Sequence, residues 1–179
     1  MQGMKKTILL IFLAISNFVY SQSILGVRFG SSHEDTKKIL EARFGTGIIE
    51  DKGNLAIYDF DMGAFHFNSG VLCFQWKEKE SIFFRAEFQK WSGTRNVESM
   101  KAEREYLKRL IASKYEIFEF KNRQGFICYE FLGEETDGIT IHGEISLERT
   151  RGKDNIERLY LFLIYYPIAE FIIEENADF

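Results

Sequence analysis

The order of apolar and polar positions along the chain predicts two helices, each followed by a series of strands. The first helix lies within residues 24–44, and Asp35 follows Ser32 at the spacing of a capping box. Either Ser31 or Ser32 can accept a hydrogen bond from the free N–H groups of its first turn, and Gly45 is suited to end it. The predicted inner face carries Thr36, Ile39, Leu40 and Phe44.

The second helix is predicted over residues 96–115, with an inner stripe of apolar side chains at helical spacing. These are Val97, Met100, Tyr106 or Leu107, Leu110 and Ile111. Strand patterns after the first helix cover 55–62, 64–67, 71–76 and 82–91, and 68–70 (Asn-Ser-Gly) reads as a hairpin turn. Those after the second helix cover 116–120, 125–131, 138–147 and 156–166. The short turns leave no room for crossover helices, so the strands should be antiparallel neighbours.

The two blocks resemble each other when the chain is shifted by 71 residues, which suggests an internal repeat. Residues 57–60 then align with 128–131. When a few inserted residues are allowed, 84–91 aligns with 159–166. We therefore predict an α+β fold, with helices packed on one face of an antiparallel sheet in two tandem helix-then-meander repeats. The halves would be 22–92 and 93–167, followed by a tail, 168–179, that is either a short helix or a frayed end.

The first residues have the pattern of a cleaved secretory signal peptide. Lys5 and Lys6 precede a run without charge, 7–20, which is shorter than the roughly 20 residues needed to span a membrane. Cleavage after Ser21 would place the mature protein in the periplasm or outside the cell, with no later membrane span. It would also change the formal charge from −4 to −6. Such an acidic chain without a basic stripe argues against a nucleic-acid partner.

The arrangement of a helix and an antiparallel meander, twice in tandem, resembles the β-lactamase-inhibitor-protein-like fold. The start also resembles small exported proteins of unknown function from Gram-negative envelopes. The matching features are Val27, Phe29-Gly30, Ser31-Ser32, Glu34-Asp35 and Phe44-Gly45. The resemblance implies a fold and a compartment. The inhibitor's own function depends on interface loops that have no residue-by-residue match here.

The sequence contains few residues in catalytic or metal-binding patterns. We therefore expect a protein that is not an enzyme and that has no cofactor and no metal site. A hydrolase using Asp59, Asp61, His66 or His142 is the enzymatic alternative, and an apolar cavity that carries a small ligand is another. Two states are open for Cys73 and Cys128. An exported location permits a disulfide between them, and the apolar strands that contain them suit free thiols.

The aromatic content, 16%, has two interpretations: a thick core between the helices and the sheet, or aromatic residues at the surface that contact an envelope or extracellular protein. The second interpretation, together with the sparse chemistry, leads us to expect a binding protein. The candidate surface combines Trp76, Phe83, Trp91, His142 and Tyr165.

Overall fold

The computed structural model describes residues 23–77, 79–134, 139–152 and 154–167. The predicted signal peptide, 1–21, and the predicted tail, 168–179, lie outside these residues. Within them, neither helix has the length and apolar character needed to cross a membrane.

Helix α1, His33–Phe44, begins and ends where the sequence predicts. The cap is Ser32 rather than Ser31, because its hydroxyl oxygen accepts a hydrogen bond from the backbone N–H of Asp35 at 3.2 Å. Gly45 follows the last turn with a φ of +82°, a conformation that favours glycine.

Both helices bury a narrower stripe than the sequence predicts. Helix α1 buries Thr36 and Leu40, whereas Ile39 remains 37% exposed. Helix α2, Val97–Ala112, likewise leaves Leu110 exposed. Its buried side chains are Met100, Arg104, Leu107 and Ile111.

Among the described residues, eight antiparallel strands form one sheet, and each helix is followed by four of them. The sheet order is β1-β2-β3-β4-β8-β7-β6-β5, so the last strand of each set of four lies at the centre and the first at an edge. The predicted α+β class and antiparallel pairing are confirmed. The strands are β1 Ile49–Asp51, β2 Leu55–Met62, β3 Phe65–Lys77, β4 Glu80–Gly93, β5 Glu116–Lys121, β6 Ile127–Glu134, β7 Thr140–Arg151 and β8 Glu157–Pro167.

The hairpin predicted at 68–70 is wrong, because β3 runs through these residues without a turn. A Cβ on Gly70 would come within 2.7 Å of the Phe88 ring and 3.0 Å of the Phe60 ring. The glycine therefore lets two aromatic side chains cross over the strand. Asn68 also has a structural role within the sheet, since its side-chain oxygen accepts a hydrogen bond from the backbone N–H of Trp91 at 2.9 Å.

A single hydrophobic core lies between the two helices and one face of the sheet. Strand β7 shows the alternation that the sequence predicts, with Ile141, Gly143, Ile145 and Leu147 all buried on the helix side. Burying these side chains removes apolar surface from water, at about 25 cal/mol per Å². The alternate side chains of β7 lie on the other face of the sheet, away from the two helices.

A polar cluster that the sequence does not predict lies beneath helix α2. The buried guanidinium of Arg104 donates to the carbonyl oxygen of Ile127 at 2.5 Å and to Glu105 at 2.7 Å. The Tyr129 hydroxyl donates to the same Glu105 oxygen at 2.6 Å. Burial would raise the pKa of Glu105, but the hydrogen bonds from Tyr129 and Arg104 and the charge of Arg104 lower it overall. Burial and the bond to Glu105 raise the pKa of Tyr129 to about 12.

Candidate binding surface on the open face of the sheet

Strand β8 carries apolar side chains on both of its faces. Leu159, Leu161 and Leu163 are buried on the helix side. The alternate residues, which we call the β8 stripe, are half-buried on the face away from the helices, the open face. The stripe consists of Tyr160, Phe162, Ile164 and Tyr166. A strand with apolar side chains on both faces is usually covered by other elements on both faces. Of the described elements, however, only the two helices cover this sheet, and they lie on one side of it.

The aromatic rings of the open face form two groups along β8. The Trp91 ring lies 6.1 Å from that of Tyr160, which is stacked at 5.9 Å on Phe162. At the other end, the His142 and Tyr166 rings meet edge to face at 4.7 Å. These contacts partly shield the rings from water and fix their positions, which reduces the entropy lost when such a surface binds a partner.

Polar side chains flank the stripe on both sides, and their charges differ. On β4, Arg85 and Gln89 both donate hydrogen bonds of 2.8 Å to Glu87, so the negative charge of this carboxylate is paired with the Arg85 guanidinium. On the other side, Glu130 of β6 and Glu144 of β7 lie directly opposite each other. Like charges at such a pair are destabilising, and a cation supplied from outside would relieve them.

The charges near the end of the stripe also affect a tyrosine. Burial raises the pKa of the Tyr166 hydroxyl, and the negative charges of Glu130 and Glu144 raise it further. This end of the open face therefore favours positive over negative groups.

A pocket of about 420 Å³ lies at this end of the stripe. Its wall includes one cation and one anion, Arg85 and Glu144, and its apolar part includes Ile164 and Tyr166. We call it the open-face pocket. A side chain from a partner, or a small polar molecule, fits such a lining.

The predicted surface residues are only partly brought together. Trp91 and His142 both lie on the open face in contact with the β8 stripe. Trp76 is 74% exposed but lies next to the β3–β4 turn. The β8 stripe itself is not among the residues predicted from the sequence. The available signal was the run 159–166, in which leucines alternate with other large apolar residues.

Two of the predicted surface residues, Phe83 and Tyr165, are buried. Phe83 is 1% exposed and its ring is stacked at 4.7 Å on Phe29. A shift in register between Cys73 and Phe74 turns Phe83 inward and ends the simple alternation of β4. Tyr165 is 9% exposed because it shares the helix side with the leucines of β8, and it packs on Phe131 at 5.1 Å.

The residues of the hydrolase alternative are not assembled into one site. Asp61 and His66 pair at 2.9 Å across the β2–β3 turn, where both are exposed. His142 in β7 lies three strand positions from His66 and four from Asp61, which at about 4.8 Å per strand is roughly 14 and 19 Å. Asp59 has a φ of +47° and interrupts the alternation of β2. Within the described ranges, no three His, Cys, Asp or Glu side chains are grouped closely enough to hold a metal ion.

The two cysteines are free thiols, and the sheet order rules out the disulfide between them. Cys73 in β3 and Cys128 in β6 are separated by three intervening strands, again about 19 Å, whereas a disulfide requires Cα atoms within about 7 Å. Burial raises the pKa of each thiol.

Comparison of the chain with protein-family models, with curated proteins and with solved structures finds no match. The resemblance to the β-lactamase-inhibitor-protein-like fold therefore stays a prediction from sequence.

Proposed function

We propose that this protein is an exported, non-enzymatic binding protein that contacts another protein through the open face of its sheet. The observation that carries the proposal is the two-sided apolar character of β8 at the centre of the sheet. Export rests on the signal-peptide pattern of residues 1–21.

The β8 stripe has the composition of an interface centre. Aromatic side chains each bury 150–250 Å² and dominate binding energies, most strongly near the centre of a contact and within a polar rim. Here Tyr160, Phe162 and Tyr166 lie between the polar side chains of β4 and β7. The opposed pair of Glu130 and Glu144 favours a partner with a Lys or Arg beside its own apolar residues.

We also infer that the two halves are related as a tandem repeat. The sequence match between 84–91 and 159–166 equates Phe88 with Leu163, and these two residues are partners across the central β4–β8 pair. Such a pairing of equivalent residues is expected where two similar halves meet around a two-fold axis. Superposing 22–92 on 93–167 tests this relation, and a best fit that does not place Phe88 on Leu163 would contradict it.

The binding function is tested by affinity capture followed by reconstitution. Tagged protein, residues 22–179, is mixed with envelope and secreted extracts, and a retained protein is identified and purified. Its affinity is then measured for the wild type, Trp91→Ala and Tyr160→Ala. The control is Trp76→Ala, which removes a more exposed aromatic ring away from the stripe.

The proposal predicts that Trp91→Ala and Tyr160→Ala each weaken binding about tenfold or more, while Trp76→Ala changes it little. Circular dichroism must show that the variants stay folded. Equal losses for all three variants, or none, would refute the assignment of the open face.

The small-ligand carrier alternative is favoured by one observation, a second pocket of about 470 Å³ that includes residues from helix α2 and strands β7 and β8. Native mass spectrometry of the purified protein tests for a bound molecule.

A further inference from the structure

Strand β5 forms one edge of the sheet, and of the described strands only β6 pairs with it. The turn between these two strands shows which backbone groups of β5 face outward. The N–H of Asn122 donates to the carbonyl oxygen of Phe126 at 3.0 Å, and residue pairs that share such bonds alternate with pairs that do not. The even-numbered residues of β5 therefore bond to β6, whereas the N–H and C=O groups of the odd-numbered residues point away from the sheet. The outward-facing residues are Ile117, Glu119 and Lys121.

This edge lacks most of the features that keep sheet edges from pairing with another chain. Natural proteins shorten such strands, bulge them or place proline in them. Strand β5 contains no proline, pairs with β6 without a shift in register, and leaves Phe118 47% exposed. The opposite edge, β1, is only three residues long and carries an ion pair between Glu50 and Lys52. Of the two edges of the described sheet, β5 is therefore the one that can add a strand.

The side chains of β5 divide between the two faces of the sheet. The Nζ atom of Lys108, on helix α2, lies 4.0 Å from a carboxylate oxygen of Glu119, so the odd-numbered residues lie on the helix side. Phe118 and Phe120 lie on the open face. The edge therefore offers two aromatic rings on one face and charges of both signs, Glu119 and Lys121, on the other.

A second copy of β5 fits this edge best in one antiparallel register. A two-fold axis perpendicular to the sheet keeps the helices of both copies on the same side. When the axis passes at Glu119, residue 117 of each copy faces residue 121 of the other, so all the outward-facing residues meet one another. Each such pair shares two hydrogen bonds, about six in all. Any other symmetric register leaves an outward-facing residue of β5 without a mate in the second strand.

The same register places compatible side chains opposite each other. On the open face, Phe118 of each copy faces Phe120 of the other, and aromatic cross-strand pairs stabilise a sheet. On the helix side, Ile117 faces the aliphatic stem of Lys121. The two Glu119 carboxylates oppose each other at the axis, which is unfavourable, but Lys121 of the other copy lies diagonally next to each of them.

We propose that two copies of this protein associate through β5, with the two Glu119 residues facing each other, and join their eight-stranded sheets into one. Only one edge of each copy takes part, so the contact closes as a dimer and does not extend into a filament. Six residues from each copy make a small interface, so the dimer should be weak and depend on concentration. This proposal goes beyond the binding function, because it concerns an edge of the sheet and needs no other protein.

The first test is sedimentation velocity of the mature protein, residues 22–179, at increasing concentration, where we expect a monomer–dimer equilibrium. Glu119→Pro should leave a monomer, because it removes an outward-facing N–H that β6 does not use, and an edge strand tolerates proline at such a position. Glu119→Gln should strengthen the dimer about twofold or more by removing the like charges at the axis. The control is Glu98→Gln, which removes an exposed carboxylate of helix α2 and should have little effect. A monomer at every concentration, or a dimer that Glu119→Pro leaves intact, would overturn the proposal.

The second test is disulfide crosslinking, which reports the register and decides the matter if the proline variant does not fold. With Cys73 and Cys128 changed to serine, Glu119→Cys should form a covalent dimer under mild oxidation, because the Cα atoms of a hydrogen-bonded pair lie about 5.5 Å apart. Lys121→Cys is the matched control. In the proposed register its Cα lies four residues, about 13 Å along the strand, from the same position in the second copy. Equal crosslinking of the two variants, or of neither, would contradict the proposal.

Discussion

Gly143 offers a sharp test of the packing between the sheet and its core. It lies on the helix side of β7, and a Cβ at this position would meet the Phe131 ring and the carbonyl oxygen of Ile164, each well under 3.0 Å. Real Cβ atoms essentially never show such approaches. The ring can turn away in part. The carbonyl cannot, because it belongs to the backbone of β8, the strand paired with β7.

The expected cost of Gly143→Ala follows from these two contacts. Overpacking of a filled core costs typically 1–3 kcal/mol, and the backbone oxygen places this case in the upper part of that range, about 2–3 kcal/mol. Replacing glycine inside a strand returns about 0.5–1 kcal/mol through lower unfolded-state entropy, which leaves a net loss of about 1–2.5 kcal/mol. For a chain of this size that corresponds to a fall in Tm of about 2–10 °C.

Urea denaturation followed by circular dichroism measures the effect, with Gly93→Ala as the matched control. Gly93 also lies in a strand of the sheet, and a Cβ there would meet nothing within 4 Å. The control should leave the free energy of unfolding unchanged or raise it by up to about 1 kcal/mol, because it gains the same entropy term without a clash. Phe131→Leu added to Gly143→Ala should recover only part of the loss, because the carbonyl contact remains. Equal stability of Gly143→Ala and Gly93→Ala would refute this account of the packing.

Three further outcomes are expected. Ser32→Ala should cost about 1 kcal/mol of unfolding free energy in urea titrations, and Ser31→Ala much less; the reverse order would contradict the cap assignment. Because the folded-state pKa of Glu105 is lowered, its contribution to stability is present above the unfolded value near 4.3 and is lost as pH falls through the folded value. The wild type should therefore lose stability below about pH 5 more steeply than Glu105→Gln, and parallel curves would contradict this. In thiol titration with a disulfide reagent, Cys73 should react before the fully buried Cys128, and the unfolded, unreduced protein should show two thiols; a count of zero would contradict the free-thiol state.

Much of the fold can be predicted from local pattern, and what cannot depends on distant contacts. The cap and Gly45 fix helix α1 through short-range hydrogen bonds, and the alternation around Gly143 assigns the faces of β7. The local sequence predicts a turn at Gly70, whereas this glycine lets rings from β2 and β4 cross over the strand, and no local signal shows such a role. The prediction that Phe83 lies at the surface is wrong because a bulge shifts the two-residue period of β4, and bulges have no reliable sequence signal.

The candidate site was predicted less well for a similar reason. Trp91 and His142 could be placed on a polar strand face from sequence, and the structure brings both to the open face. The importance of β8 depends on its position at the centre of the sheet, which depends in turn on pairing between the two halves. The prediction of Tyr165 as a surface residue is wrong, although its position two and four residues after Leu163 and Leu161 places it on the same strand face as these leucines.

The sheet order has a consequence for how the chain folds. Strands β4 and β8 are neighbours in space, yet even their closest partners, Gly93 and Arg158, are about 65 residues apart in the chain. The central pairing therefore forms only after nearly all of the chain is available, and such long loop closures slow folding. Until then β4 and β7 each present a bare row of N–H and C=O groups, a template for another chain. A fragment that stops before residue 157 should accordingly self-associate, as light scattering would show, and a monomeric, folded fragment would contradict this order of assembly.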